Sequence, residues 1–259
     1  MTEEGPQQLE LPLAADAPAE AGAGPGEAPS PGKPARPSRS GGGVPTTPRL
    51  PRRFRAMQPL LGEGPFDDPG YRFEPWWPGL RVLLAAEAGA VRLQAEQLAD
   101  PLAVFPELSR VAALLSADGV VLDGTLLVLD TGGRPDADLL RERLSYPEVR
   151  DGAPAFVASD LLYAGGAEVM RRPYADRLAQ LEELLGETDW CMVARGFAGE
   201  GHTVAAALEA MGLQAMSARH LGSRYRPGPS RGAWLRLPLV PVPQALQRPT
   251  LALIQRLGL

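Results

Sequence analysis

The chain has 259 residues and one lysine, Lys33; the other 25 of its 26 basic side chains are arginine. A lysine amine can shed its proton when buried or crowded by cations and then act as a nucleophile, whereas a guanidinium stays protonated at any working pH. Lys33 sits in a Pro/Ala/Gly-rich stretch, so a lysine nucleophile is excluded from the rest of the chain. The single cysteine, Cys191, excludes a disulfide framework and a cysteine metal cluster. No apolar run approaches the roughly 20 residues that span a bilayer. The N-terminus, Met-Thr-Glu-Glu, lacks a basic-then-hydrophobic signal pattern. These absences lead to the expectation of a soluble cytoplasmic protein with no membrane partner.

Residues 1–58 carry few aromatic or β-branched side chains and no apolar periodicity. Such a stretch buries too little apolar surface to offset its ordering entropy, and it is expected to be a disordered Pro/Ala/Gly-rich tail. About 200 residues remain, ample for one core. The tail holds seven Lys/Arg against six Asp/Glu, and residues 59–259 hold 19 against 25, so the expected domain is acidic by about six charges. An acidic domain is a poor start for gripping DNA, whose affinity for proteins comes largely from phosphate neutralisation. Arg49, Arg52, Arg53 and Arg55 form a small basic cluster at the junction, read first as a solvated hinge and second as a contact for an anionic partner.

Strands are expected at Leu80–Ala86 and Val91–Gln94 around the turn Glu87–Ala90, and a helix over 105–116, where Leu108, Val111, Ala112 and Leu115 recur at helical spacing. Residues 119–130 read as a strand pair interrupted at Asp123–Gly124, followed by a turn at 131–134 and a short helix at 136–144. Further strands are expected at 154–163, 189–195, 213–219 and 233–240, with helices at 174–185 and at 203–211, the latter closed by Gly212. The stretch 62–79, rich in turn residues and aromatics, carries no assigned element. Strands with interspersed helices, and no regular β-α-β alternation, favour an α+β domain with mixed or antiparallel sheets. There is no internal repeat.

Five stretches carry chemistry-bearing residues: FEPWWPGLR (73–81), VVLDGTLLVLD (120–130), FVASDLLYAGG (156–166), GLQAMSARH (212–220) and SRYRPGPSRGAWLRLPL (223–239). In order and spacing, together with FPEL (105–108) and GRPD (133–136), they resemble the nucleotidyltransferase (adenylation) domain of ATP-dependent DNA ligases, especially the ligase domain of bacterial end-joining enzymes. The resemblance covers roughly residues 70–239. It implies a DNA ligase/mRNA capping enzyme-like fold in 59–240, with a C-terminal segment, 241–259, containing a short helix. The family follows this domain with an OB-fold, and the roughly 20 residues after Leu239 are too few for one.

The resemblance assigns places to residues and shows which have changed. Glu74, Gly79 and Arg81 fit the family's signature, but the nucleophilic lysine position holds Trp76 and the family's Asp holds Pro78. Asp123 and Gly124 match the next motif, while its metal-supporting Glu is Thr125. Asp160, Leu161, Leu162 and Tyr163 match the third, while the aromatic that stacks on adenine is Ser159. Gln214 replaces a Glu and Arg219 a Lys. Ser223, Tyr225, Pro227, Gly228, Trp234 and Leu235 match the last motif, while its two lysines are Arg236 and Pro238. An expected Arg is Glu96. The remnant nucleotide pocket is therefore Glu74, Trp76, Arg81, Asp123, Thr125, Ser159, Gln214, Arg219 and Arg236, with no intact catalytic residue, no metal site and no expected cofactor. A bias toward arginine over lysine explains Arg219 and Arg236, but not Trp76, Pro78, Thr125 or Ser159.

The resemblance implies a degenerate ligase homologue acting as a binding or regulatory module, with DNA, DNA-repair proteins or a nucleotide as candidate partners. The alternatives are an active ligase or nucleotidyltransferase with a rewired site, which would use ATP and Mg²⁺, and a nucleotide sensor using Arg81, Arg219, Arg224, Arg226, Arg231 and Arg236. Trp76–Trp77 reads as core filling before partner-binding surface. Asp123 and Asp160 read as structural carboxylates before an acid–base pair. His202 and Cys191 lie on different expected elements with no motif that would make them a dyad.

Overall fold

A computed structural model describes residues 49–239. Residues 49–58, assigned to the tail from sequence, are part of the described structure. Leu50 and Met57 are buried, because Leu50, Phe54, Ala56 and Met57 pack on Leu83, Ala85, Val121 and Leu162. The segment is short on apolar residues by composition, yet these few meet a sheet face that needs covering. The expectations for residues 1–48 and 241–259 lie outside the described residues.

The strands, in chain order, are β1 (Met57–Gln58), β2 (Leu60–Leu61), β3 (Asp68–Pro75), β4 (Leu80–Glu87), β5 (Ala90–Gln94), β6 (Val120–Leu129), β7 (Ala153–Ala164), β8 (Ala167–Glu168), β9 (Cys191–Val193), β10 (Phe197–Gly199), β11 (Ala215–His220), β12 (Gly228–Pro229) and β13 (Trp234–Pro238). The helices are α1 (Pro101–Val104), α2 (Ala137–Ser145), α3 (Tyr174–Leu184) and α4 (Gly201–Ala210). One sheet runs β5-β4-β6-β7-β8, with β9 parallel to β7; a second runs β10-β3-β11-β13-β2; β1 and β12 form a parallel pair. Pairing is mostly antiparallel, giving a mixed α+β architecture. Among the described residues, no helix is long and apolar enough to cross a membrane.

The first sheet buries one face under the helices. Val82, Leu84, Leu122, Phe156 and Leu161 meet Leu108, Val111, Leu140, Leu178 and Leu181. The second sheet buries Phe73, Met216, Ala218 and Leu237 under Val204, Ala205 and Leu208 of α4. Strand alternation turns the other residues of each sheet the opposite way. Glu74 of β3, Ser217 and Arg219 of β11, and Trp234 and Arg236 of β13 therefore share the face that meets Arg81, Asp123 and Ser159 of the first sheet. The site lies there.

Two expected elements change form, and one strand arises where none was expected. Residues 106–114 form a 3₁₀ helix and not an α-helix. Its buried residues, Leu108 and Val111, are three apart, a spacing that three residues per turn satisfies as well as 3.6. The expected strand pair at 119–130 is one continuous strand, β6, with register irregularities at Val121/Leu122 and Asp123/Gly124. Gly124 is a close-approach glycine and not a turn: a Cβ there would lie 2.5 Å from both the Phe156 ring and the Val157 carbonyl. β3 emerges from the turn-rich stretch, where Phe66, Tyr71 and Phe73 pack edge to face. The β4–β5 turn has Ala88 and Gly89 both at positive φ, the two-residue geometry that matches strand twist.

Candidate functional site

Three buried carboxylates organise the site, and each is engaged by arginine. Asp160 receives a two-pronged contact from Arg177 of α3, Nε to Oδ1 at 2.7 Å and Nη2 to Oδ2 at 2.8 Å, with both side chains fully buried. Arg177 also donates to the carbonyls of Arg172 and Ser223, which ties the loops around the site to α3. Asp123 receives a matching fork from Arg81 at 2.9 and 2.5 Å and a third bond from the Tyr225 hydroxyl at 2.8 Å. Glu74 accepts from the Tyr174 hydroxyl at 2.6 Å and from Arg72 Nε at 3.1 Å, and Arg219 lies 3.6 Å away. Forked arginine–carboxylate contacts of this kind fix both partners in one geometry.

The charge states follow from these contacts. Burial would raise the Asp123 carboxyl, but the Arg81 guanidinium wins and holds it below the usual carboxylate range. Burial would likewise lower Arg81, and Asp123 reverses that. Glu74 goes the other way: burial outweighs the charge of Arg219 and raises it. Burial, reinforced by Glu74, pushes the Tyr174 hydroxyl well above its ordinary value.

Arg219 and the tryptophans fill the middle. The Arg219 guanidinium lies 4.0 Å from the centre of the Trp234 ring, donates to Ser159 Oγ at 3.0 Å, and reaches Asp160 at 3.4 Å. Arg81 lies 4.5 Å from the same indole, whose Nε1 donates to Ser217 Oγ at 2.7 Å. Trp76 stacks against Trp234 with ring centres 5.9 Å apart and planes tilted by 33°, and Arg236 lies 4.9 Å over Trp76. Burial lowers the Arg236 pKa. The result is a ladder of arginine, indole, indole and arginine.

Of the residues proposed from sequence, Glu74, Trp76, Arg81, Asp123, Ser159, Arg219 and Arg236 converge. Thr125 lies opposite Arg81 in the β4–β6 register, beside the cluster. Gln214 is exposed just before β11, outside the buried cluster, and Glu96 is exposed and bound to Gln58. Asp123 and Asp160 are register partners, but each is claimed by its own arginine. The two adjacent tryptophans part company: Trp76 joins Trp234, and Trp77 packs on Leu127 and Val157. Cys191 is buried in the core, its thiol pushed up to about 12, while His202 is exposed and contacts Asp67 at 3.1 Å. Sequence reasoning missed Tyr174, Arg177 and Arg72. The first two were legible, since Tyr174 and Arg177 fall on the face of α3 that carries Leu178 and Leu181.

ATP and Mg²⁺, the groups that a ligase adenylation domain uses, do not fit these residues. Trp76 offers no nucleophile, Thr125 and Gln214 carry no charge, and Ser159 has no ring to stack on a base. Asp123, Asp160 and Glu74 spend their lone pairs on arginine and tyrosine donors. Among the described residues no three His, Cys, Asp or Glu side chains are grouped to hold a metal.

Two sheets with a polar seam between them match the fold of DNA ligase nucleotidyltransferase domains. More specifically, the chain resembles the ligase domain of bacterial end-joining ligases. No family model matches it. The multifunctional non-homologous end joining DNA repair protein LigD of Mycobacterium tuberculosis is 34% identical over 166 residues, which is 64% of this chain and 21% of that protein. The structure of mycobacterial DNA ligase D complexed with ATP and MES matches at 30% identity with a TM-score of 0.61, covering 71% of this chain and 60% of that one. The ligase domain of M. tuberculosis LigD matches at 30% identity with a TM-score of 0.59, covering 70% and 58%. The chain thus spans about a fifth of the length of this curated relative.

Proposed function

We propose that this DNA ligase-like protein does not form lysyl-AMP and serves as a binding or regulatory module. The observation that carries the reading is Trp76, at the position where the ligase signature has its nucleophile, stacked between Trp234 and Arg236. An indole has no lone pair free to attack an α-phosphate. The quenched carboxylates support the same conclusion. A metal bound at this seam would have to displace guanidinium forks, and breaking one partner out of a buried pair costs about 3–5 kcal/mol. What remains is a scaffold of arginine–carboxylate forks and stacked indoles.

Incubation with Mg²⁺ and ATP labelled at the α-phosphate tests this. The expected result is no label on the denatured chain after electrophoresis. Label approaching one per chain on residues 49–239 would overturn it. A rise in melting temperature with ATP but without label would favour a nucleotide sensor.

A further inference from the structure

The β1–β12 pair brings together two sequence segments of the same pattern, Arg53-Phe54-Arg55 and Arg224-Tyr225-Arg226. Met57 pairs with Gly228 in a parallel register, and the Gly228 amide donates to the Ala56 carbonyl at 2.9 Å. Arg55 and Arg226 each lie two residues before this pair, so they occupy equivalent places on the two chains leading into it. In both segments the aromatic turns inward and the arginines stay exposed. Upstream the segments part. Phe54 goes to Tyr163 and to the Gln94 side chain, while the Tyr225 amide donates to the Met170 carbonyl. The fork so formed is floored by half-buried Phe54, Tyr163 and Met170.

Among the described residues, none of Arg53, Arg55, Arg224 and Arg226 makes an ion pair, and none of their guanidinium groups donates a hydrogen bond within the protein. Arg72, Arg81, Arg143, Arg177 and Arg219, by contrast, are all paired. Four exposed, unpaired guanidiniums held on a fixed frame beside apolar floor residues form a surface built for an anion that also has apolar groups.

We propose that this fork is the docking surface for an acidic protein segment bearing aromatic or aliphatic side chains among its carboxylates. One observation favours a peptide over a nucleic-acid backbone. The apolar floor of Phe54, Tyr163 and Met170 has no use for phosphates but suits anchoring side chains, with the arginines on the rim taking carboxylates. The inference rests on the binding-module reading and supplies its partner class. None of the four arginines belongs to the Trp76 cluster, so the labelling experiment and the one below fail independently.

The test measures fluorescence polarisation of the full chain with a labelled 12-residue peptide of alternating Glu with Phe and Leu, alongside a 12-base-pair DNA duplex. The quadruple variant R53S/R55S/R224S/R226S is expected to bind the peptide at least tenfold more weakly. The quadruple Lys variant is expected to stay within about threefold of the parent. Equal binding by the Ser variant overturns the proposal. So does an equal loss in the Lys variant, which would trace the effect to the fold and not to charge. Tighter binding of the duplex than of the peptide, lost in the Ser variant, also overturns it and assigns the surface to phosphates.

Discussion

Placing a lysine at residue 76, which aligns by resemblance with the nucleophile of the ligase signature, is the sharpest trial of the proposed loss of lysyl-AMP formation. In Trp76→Lys an amine would replace an indole stacked on Trp234 at 5.9 Å and covered by Arg236 at 4.9 Å. Losing the aromatic pair costs about 0.5–1.5 kcal/mol. Losing the cation–π contact costs about 0.5–1 kcal/mol, and the lost apolar burial about 1–2 kcal/mol. The new cation would also sit near Arg81 and Arg236, with Asp123 already occupied by Arg81. Destabilisation of about 2–4 kcal/mol follows, and at about 2–4 °C per kcal/mol for a domain of this size the melting temperature should fall by roughly 5–15 °C. Activity should not return, because Thr125, Ser159 and Gln214 leave the metal and the base without holders. The assay pairs a thermal melt with ATP labelling. Stoichiometric label on the single variant would refute the claim that the losses are distributed, and an unchanged melt would refute the packing account of Trp76.

Arg177→Met should destabilise the fold by about 3–5 kcal/mol by stranding Asp160, and pairing it with Asp160→Leu should recover most of the loss, as denaturant titration would show. Acid melts should separate two carboxylates of opposite sign. The contribution of Asp123, with its folded pKa lowered, is present above its unfolded value of about 3.9 and disappears as pH falls through the folded value. That of Glu74, with its folded pKa raised, is complete below its unfolded value of about 4.3 and fades as pH rises through the folded value, so Glu74→Gln should flatten the curve on that upper side. Cys191, held near 12, should resist iodoacetamide at pH 8 in the native protein and react promptly in denaturant; fast native alkylation would contradict its burial. Gly124→Ala should cost about 1–3 kcal/mol by driving a methyl group into Phe156 and the Val157 carbonyl, measurable as a shift in the unfolding midpoint.

The sequence by itself determined the class of fold and which side chains stand at the compared offsets. A missing lysine, Trp76 in FEPWWPGLR and Thr125 after Asp123-Gly124 are facts of chemistry at fixed offsets, and no coordinates were needed to see that an indole cannot attack a phosphate. β7 was legible as a long apolar run, and α3 because its apolar residues recur at helical spacing. Short pieces were not. β1 and β12 have two residues each, too few for a period, and only their pairing with one another makes them strands. The 3₁₀ helix at Pro106–Leu114 shares its spacing of apolar residues with an α-helix. Tertiary structure alone decided which arginine answers which carboxylate, because Arg177 and Asp160 are 17 residues apart and Arg219 lies 59 from Asp160. It alone turned Trp76 and Trp77 to opposite clusters and set Arg53-Phe54-Arg55 beside Arg224-Tyr225-Arg226. Local sequence fixes what a side chain can do, whereas the charges it meets across a sheet seam come from long-range packing.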